Sequence, residues 1–291
     1  MNILVTGGAG FVGTNLIKRL LKEGHQTISI DNYDSGLKEN HQKGAVYIEG
    51  DIRDIPYMGT KFWHAETGYL EFDLIYHLAA LPRIQPSFDN PKETFKVNTI
   101  GSFNIAELAQ KHNSKVIYSG SSSRWHNPFK SPYACFKHMG EEIFKLYKQV
   151  YGLKAEIVRF YNVYGPYEIL DGDWAAVIGK WRQQVRDNES ITIVGDGEQR
   201  RDFTHIDDIV DALYKIGISN ESHEDAWELG TGVDYSINEV YQMFYDKFKV
   251  SSTYIPDQPG NYRKTLRENN DALEKLGWRP QDRLLDYIES L

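Results

Sequence analysis

The strongest constraint on this chain lies at its start. A short β-type run, Asn2–Thr6, leads straight into Gly7-Gly8-Ala9-Gly10-Phe11-Val12-Gly13. The segment that follows, 12–23, spaces Leu16, Leu20 and Leu21 along one helical side. Two glycine spacings overlap, Gly8-x-Gly10-x-x-Gly13 and Gly7-x-x-Gly10-x-x-Gly13. Between a strand and a helix, such glycines permit a tight turn, close backbone approach to a pyrophosphate, and close helix–strand packing. The unpaired N–H groups of the helix N-terminus then face the phosphates. A second strand, 27–31, ends in Asp31, 18 residues beyond Gly13. An acid there accepts hydrogen bonds from both ribose hydroxyls and repels a 2′-phosphate. Asn32 and Tyr33 follow, with no arginine beside them, so the pattern predicts NAD rather than NADP.

The same alternation continues. Strands are expected at Val46–Glu49, 74–78, 115–119 and Ala155–Phe160, and long helices at 91–112 and Pro132–Tyr151. Near-continuously apolar strands alternating with helices predict an α/β fold, a Rossmann-type doubly wound parallel sheet covered on both faces. Beyond about residue 162 the pattern becomes irregular. Helices are expected at 174–187, 206–216 and Ile237–Phe248, and a strand at 190–194. This predicts a smaller α/β substrate-binding lobe over the sheet's carboxyl edge, where ligands of open α/β sheets bind. The expected division is a dinucleotide-binding domain at 1–163, with about 198–230 added, and a mainly substrate-binding lobe at 164–291.

Composition narrows the partners. The 291 residues carry 33 Lys plus Arg against 41 Asp plus Glu, a net charge of −8. A net acidic surface repels phosphate backbones, which argues against nucleic acid and anionic membranes. One cysteine, Cys135, excludes an internal disulfide and a Cys-rich zinc site, and no metal is expected. No run approaches the roughly 20 apolar residues of a membrane span, and the N-terminus lacks a basic n-region. A cytoplasmic protein is expected.

The chemistry is expected in one segment. The strand 115–119 leads into Gly120-Ser121-Ser122-Ser123, and Tyr133 and Lys137 follow on a helix. Positions i and i+4 share a helix face, so phenol and ammonium reach one ligand. A nearby ammonium lowers a tyrosine's pKa from about 10, which suits Tyr133 to act as general base on a substrate hydroxyl. Ser121 would hydrogen-bond the same hydroxyl.

Together Gly7-x-x-Gly10-x-x-Gly13, Asp31, Asp51-Ile52, His77-Leu78-Ala79-Ala80, Asn98, the Ser119–Ser123 run and Tyr133-x-x-x-Lys137 resemble the extended short-chain dehydrogenase/reductase family. More narrowly, they resemble its nucleotide-sugar epimerases and dehydratases. The likeness continues through Arg159-Phe160-Tyr161-Asn162-Val163-Tyr164-Gly165-Pro166, Arg201-Asp202-Phe203 and Leu276-Gly277-Trp278-Arg279-Pro280, covering nearly the whole chain. The resemblance implies NAD with Phe11 and Val12 at the pyrophosphate, Asp31 and Asn32 at the adenosine ribose, and Asp51 and Ile52 at the adenine. Leu78, Ala79, Ala80 and Asn98 belong to the cofactor side, Tyr161 lies near the nicotinamide, and Lys137 also bonds the nicotinamide ribose. Tyr133 would take a sugar hydroxyl proton as a hydride passes to NAD.

Dehydrating relatives carry an Asp-Glu pair where this chain has Ser122 and Ser123, and decarboxylating ones a Glu in this segment. The resemblance therefore favours epimerisation of a nucleoside diphosphate-sugar, at C4, over dehydration or reduction. A non-catalytic NAD-binding regulatory protein is the remaining class, opposed by the intact Ser121, Tyr133 and Lys137. Arg201 matches the family's diphosphate arginine. A second arginine is replaced by Gln258, and Arg263, Lys180 or Arg83 would substitute. Asn162 is the implied sugar or diphosphate contact. Thr265, seven residues after Gln258, stands at the position that gates the C2 substituent, and its small size implies tolerance of N-acetylated sugars. The two long helices imply a homodimer through a four-helix bundle.

Overall fold

The computed structural model describes residues 1–57, 63–64, 68–69 and 71–291. Its centre is a seven-stranded sheet in the spatial order Val46–Glu49, Gln26–Asp31, Asn2–Thr6, Leu74–His77, Lys115–Ser121, Ala155–Phe160, Trp227–Leu229. All six neighbour pairings are parallel. The chain winds outward from Asn2–Thr6 and then returns to its other side, so the switch point lies between Asn2–Thr6 and Leu74–His77.

Alternate strand residues feed two cores. Leu4, Ile75 and Val116 point to one face, with Ile105 and Phe144 from the helices Ser102–His112 and Pro132–Tyr151. Val5, Tyr76 and Ile117 point to the other, against Leu16, Ile209 and Leu213 from the helices Phe11–Lys22 and Ile206–Ile218. Burial on both faces explains why these strands read as continuous apolar runs. A third core, with Trp181, Phe203 and Phe244, belongs to the second lobe. There Ile191–Val194 pairs with Ser252–Ile255, and Arg200–Asp202 lies between Asp234–Ser236 and Lys264–Thr265. After Phe203 the chain returns to the large sheet through Ile206–Ile218 and Trp227–Leu229.

At three elements the difference from the sequence-based expectation bears on the site. The helix expected at 91–112 is Pro91–Phe95, a wide π turn at Lys96–Gly101, and Ser102–His112. The wide turn brings Asn98 inward, where its amide exchanges hydrogen bonds with the Leu81 backbone at 2.9 and 3.0 Å. The helix expected from residue 174 starts at Val177, after Ala176 in extended backbone at ψ 172°, and the Trp174 carbonyl accepts from Arg83 Nε at 2.9 Å. The strand expected to end at 119 runs on to Ser121, carrying that serine to the sheet's carboxyl edge.

Candidate active site

The switch point opens into a cavity of about 420 Å³. It brings together Gly7, Gly10, Phe11, Val12, Gly13, Asp31, Asn32, Asp51, Ile52, Leu78, Ala79, Ala80 and Arg83. Gly7 takes a left-handed φ of +73°, and a Cβ there would stand 2.9 Å from the Ala79 nitrogen. A Cβ on Gly13 would stand 2.2 Å from the Gly7 carbonyl oxygen, so no other residue lets the helix pack this close. Gly10 precedes the helix Phe11–Lys22, and no side chain caps its first N–H groups. They remain free for an anion.

Asp31 is buried, and its carboxylate accepts from the Ala9 and Tyr33 backbone nitrogens at 2.9 and 2.8 Å. It therefore holds the glycine turn from below while lining the cavity. Burial pushes its pKa up. Asp51 accepts from Asn32 Nδ2 at 2.9 Å and from Arg53 Nε and Nη2 at 2.8 and 2.7 Å. Arg53 is a cavity residue the sequence reading missed: an arginine does stand at the adenosine end. Its guanidinium also pairs with Glu93, so two carboxylates neutralise it. Uncapped helix N–H groups, a glycine cradle and a buried acid at the second strand's end fit an adenine dinucleotide.

Next to Arg83 stands Tyr133. Its hydroxyl lies 3.4 Å from Ser121 Oγ, and its backbone nitrogen donates to Ser87 Oγ at 3.0 Å. Ser131 caps this helix by accepting from the Ala134 nitrogen, and Pro132 occupies its first turn, so helix start and strand end meet at fixed geometry. Ser121 Oγ also accepts from Ser123 Oγ at 2.9 Å. Lys137 is buried, with Nζ over the Tyr118 ring, 4.6 Å from its centroid. Burial lowers its pKa to about 8, against the pull of Glu141.

This corrects one expectation. Tyr133 is held above its ordinary value, chiefly by burial; the Ser121 hydrogen bond and then the Arg83 charge offset part of it. The ammonium sits on the Tyr118 ring, and the cation bearing on the phenol is Arg83.

The other expected residues divide. Asn162, at a left-handed φ of 24°, donates from Nδ2 to the Asp202 carbonyl at 3.0 Å and to Thr265 Oγ1 at 3.2 Å. Thr265 is the register partner of Arg201. Among the described residues no carboxylate pairs with Arg201, and burial lowers its pKa to about 10. These three form one group. Arg263 is exposed and held bidentate by Asp196 at 2.8 and 2.9 Å. Lys180 is exposed on the helix Val177–Arg186 and does not line the cavity. Asn98 serves by clamping the Leu81 loop. Tyr161 is 1% exposed, and its hydroxyl donates to Glu228 at 3.1 Å.

Beyond Arg53, the sequence reading also missed Glu141 and Glu168. Glu141 follows Lys137 by one helical turn, a spacing that could have signalled it. It lies under Ser121, within 3.4 Å of that residue's backbone nitrogen. Glu168 gave no sequence signal. It lines the cavity, accepts from Arg182 and Tyr287, and burial raises its pKa.

Fold and site define a doubly wound dinucleotide enzyme with a serine–tyrosine pair at the sheet's carboxyl edge. The model of the NAD dependent epimerase/dehydratase family matches residues 3–230, and the chain belongs to that family. NAD is its cofactor. The chain is 31% identical to the putative UDP-glucose 4-epimerase of Methanocaldococcus jannaschii over 99% of its own length and 96% of that protein's. It superposes on the UDP-glucose 4-epimerase of Thermotoga maritima, solved with UDP-glucose, with a TM-score of 0.90 at 30% identity, covering 99% of this chain and 96% of that one. For the UDP-glucose 4-epimerase of Thermus thermophilus, solved with NAD, the TM-score is 0.88 at 26% identity, with 99% and 97% covered.

Proposed function

We propose that this chain epimerises a nucleoside diphosphate-sugar at C4, by transient oxidation to a keto-sugar and re-reduction. The observation that carries the reading is the Tyr133 hydroxyl 3.4 Å from Ser121 Oγ, next to Arg83 of the glycine-cradled cavity. Arg201 grips the diphosphate, with Arg83 as a second cation, and Asn162 and Thr265 border the sugar. The glycine turn, Asp31 and Lys137 would hold NAD, which when bound would supply reversible hydride exchange. Ser121 Oγ holds the sugar hydroxyl, and Tyr133 Oη takes its proton. Once the keto-sugar has turned to present its other carbonyl face for hydride return, the same phenol would give the proton back to the sugar oxygen. Arg83 and Ser121 favour the phenolate that this requires, against burial.

Dehydration or reduction is disfavoured by the same site. Ser122 and Ser123 supply no acid or base. Glu141, the carboxylate reaching this strand end, is fixed on Arg159 at 2.8 Å. The reading divides the molecule into a sheet lobe for NAD and a lobe for the sugar nucleotide, the expected return to the sheet lobe moving from about 198 to about 205 because Arg200–Asp202 pairs with Asp234–Ser236 and Lys264–Thr265. The small Thr265 admits an N-acetyl group. Exposed Phe103, Met139, Leu146 and Val150 on the helices Ser102–His112 and Pro132–Tyr151 support a homodimer through these helices. No helix among the described residues is long and apolar enough to cross a membrane. A cytoplasmic location completes the reading, supported by the single free Cys135.

The test is the product formed from UDP-glucose, UDP-N-acetylglucosamine and UDP-glucuronic acid with added NAD, read by NMR. The expected product is the C4 epimer with no net NAD consumed. Loss of water or carbon dioxide, or no turnover of any of the three, would overturn the reading.

A further inference from the structure

Between the short strand Val163–Tyr164 and the helix Val177–Arg186 the chain forms a strap, residues 166–176. Its residues Glu168, Ile169, Asp173, Trp174 and Ala176 line the cofactor cavity together with the glycine turn and the loop 78–83. The strap is anchored in the second lobe. Buried Glu168 accepts from Arg182 at 2.6 Å and from Tyr287 at 3.2 Å. A Cβ on Gly179 would stand 2.2 Å from the Ile169 carbonyl oxygen, so the strap lies tight on the helix Val177–Arg186.

Its ties to the sheet lobe are few, and they sit at its two ends. Asn15 Nδ2 donates to the Pro166 carbonyl at 2.9 Å. Arg83 Nε donates to the Trp174 carbonyl at 2.9 Å. Lys18 Nζ stands 5.3 Å from the centre of the Tyr167 ring. Among the described residues no other hydrogen bond joins the strap to the sheet lobe. Along the sheet's carboxyl edge the strand ends come in the order Asp31, Thr6, His77, Ser121. A dinucleotide with its adenosine at Asp31 and its nicotinamide beside Tyr133 lies along that line. Asn15 stands on the helix that follows Thr6, and Arg83 in the loop that follows His77. The two ties therefore leave from the middle of the line and from its nicotinamide half.

We infer that the strap is a gate over the nicotinamide half of the cofactor site, held shut by Asn15 and Arg83, so that NAD enters and leaves only when these ties break. Both ties join groups of the chain itself and need no ligand. A gate shut before binding slows entry and exit alike, whereas a residue that only stabilises bound cofactor slows exit alone. Asn15 separates the two cases, because it holds the strap and is not among the cavity residues. The gate would keep reduced cofactor in place while a keto-sugar turns; that use rests on the C4 reading above, whereas the gate itself rests on NAD alone.

The experiment uses NADH as a fluorescent probe, with wild type and Asn15→Ala. The release rate is read by stopped-flow chase of the NADH-loaded enzyme with excess NAD, and Kd by titration. Alanine is a better helix former than asparagine, so the variant keeps the helix Phe11–Lys22. Asn15→Ala should release NADH about two- to tenfold faster, the loss of one net hydrogen bond. Its Kd should stay within about twofold of wild type, so the association rate rises with the release rate. Faster release with Kd raised in proportion would overturn the gate, since Asn15 would then only help to hold bound cofactor. Release and Kd both unchanged would overturn it as well, because the tie would then hold nothing shut. Wild type that binds no NADH would remove the gate together with the cofactor assignment of the cavity, while the C4 reading stands or falls separately on the product assay.

Discussion

Glu141 and Arg159, 18 residues apart in sequence, form an ion pair at 2.8 Å directly beneath Ser121, with side chains 1% and 0% exposed. Arg159 Nη1 also reaches Asp225 at 2.7 Å, and the pair ties the Tyr133 helix to the Ala155–Phe160 strand. Removing one partner of a buried pair leaves the other uncompensated, typically at about 3–5 kcal/mol. Glu141→Ala should lose about 3 kcal/mol, Asp225 still holding part of the guanidinium. Urea unfolding measures it, and a midpoint equal to wild type would mean the pair is not a structural tie.

Tyr133→Phe keeps the ring and its packing but removes the proton acceptor. Turnover should fall about 10²- to 10⁴-fold while NAD affinity stays near wild type. Ser121→Ala should reduce turnover less. A Tyr133→Phe enzyme with more than a tenth of wild-type turnover would reassign the base.

Because burial holds the Tyr133 phenol above its ordinary value, catalysis in the proposed mechanism gains as pH rises, while the Lys137 ammonium is lost through about pH 8. NAD binding should weaken from pH 7 to pH 9.5, and Lys137→Met should bind weakly with a flat profile. The folded chain holds the Lys137 proton less tightly than the unfolded chain, whose value is about 10.4. This residue's contribution to stability should therefore rise with pH from about 8 upward. Fluorescence titration with NAD across that range checks the first claim, and a flat wild-type profile would contradict it.

Arg201→Ala should raise KM for the sugar nucleotide about 10- to 150-fold, equivalent to about 1.5–3 kcal/mol for hydrogen bonds to a charged group. NAD affinity should not move. Steady-state kinetics with saturating NAD decides it, and an unchanged KM would place the diphosphate elsewhere.

Asp31 predicts preference for NAD, and Arg53 supplies the rival pull toward a 2′-phosphate. Since Asp51 and Glu93 neutralise Arg53, wild type should bind NADP at least tenfold more weakly than NAD. Glu93→Gln should narrow that gap. Equal dissociation constants in wild type would remove the role assigned to Asp31.

The sheet and the cofactor turn were legible in the sequence, because both depend on local rules. Strand, glycine turn and helix are contiguous, and Gly7 and Gly13 are required by backbone geometry that neighbouring residues define. Tyr133 and Lys137 share a helix face by spacing alone. Whatever depended on which charges end up in one place came from long-range packing. It put Arg53 between Asp51 and Glu93, set Lys137 on the Tyr118 ring, and left Arg83 as the cation bearing on Tyr133. It pinned Arg263 to Asp196 on the surface, while among the described residues no carboxylate pairs with Arg201. Periodicity tells a helix from a strand, but a pKa and a binding contact depend on desolvation and distance between residues far apart in the chain.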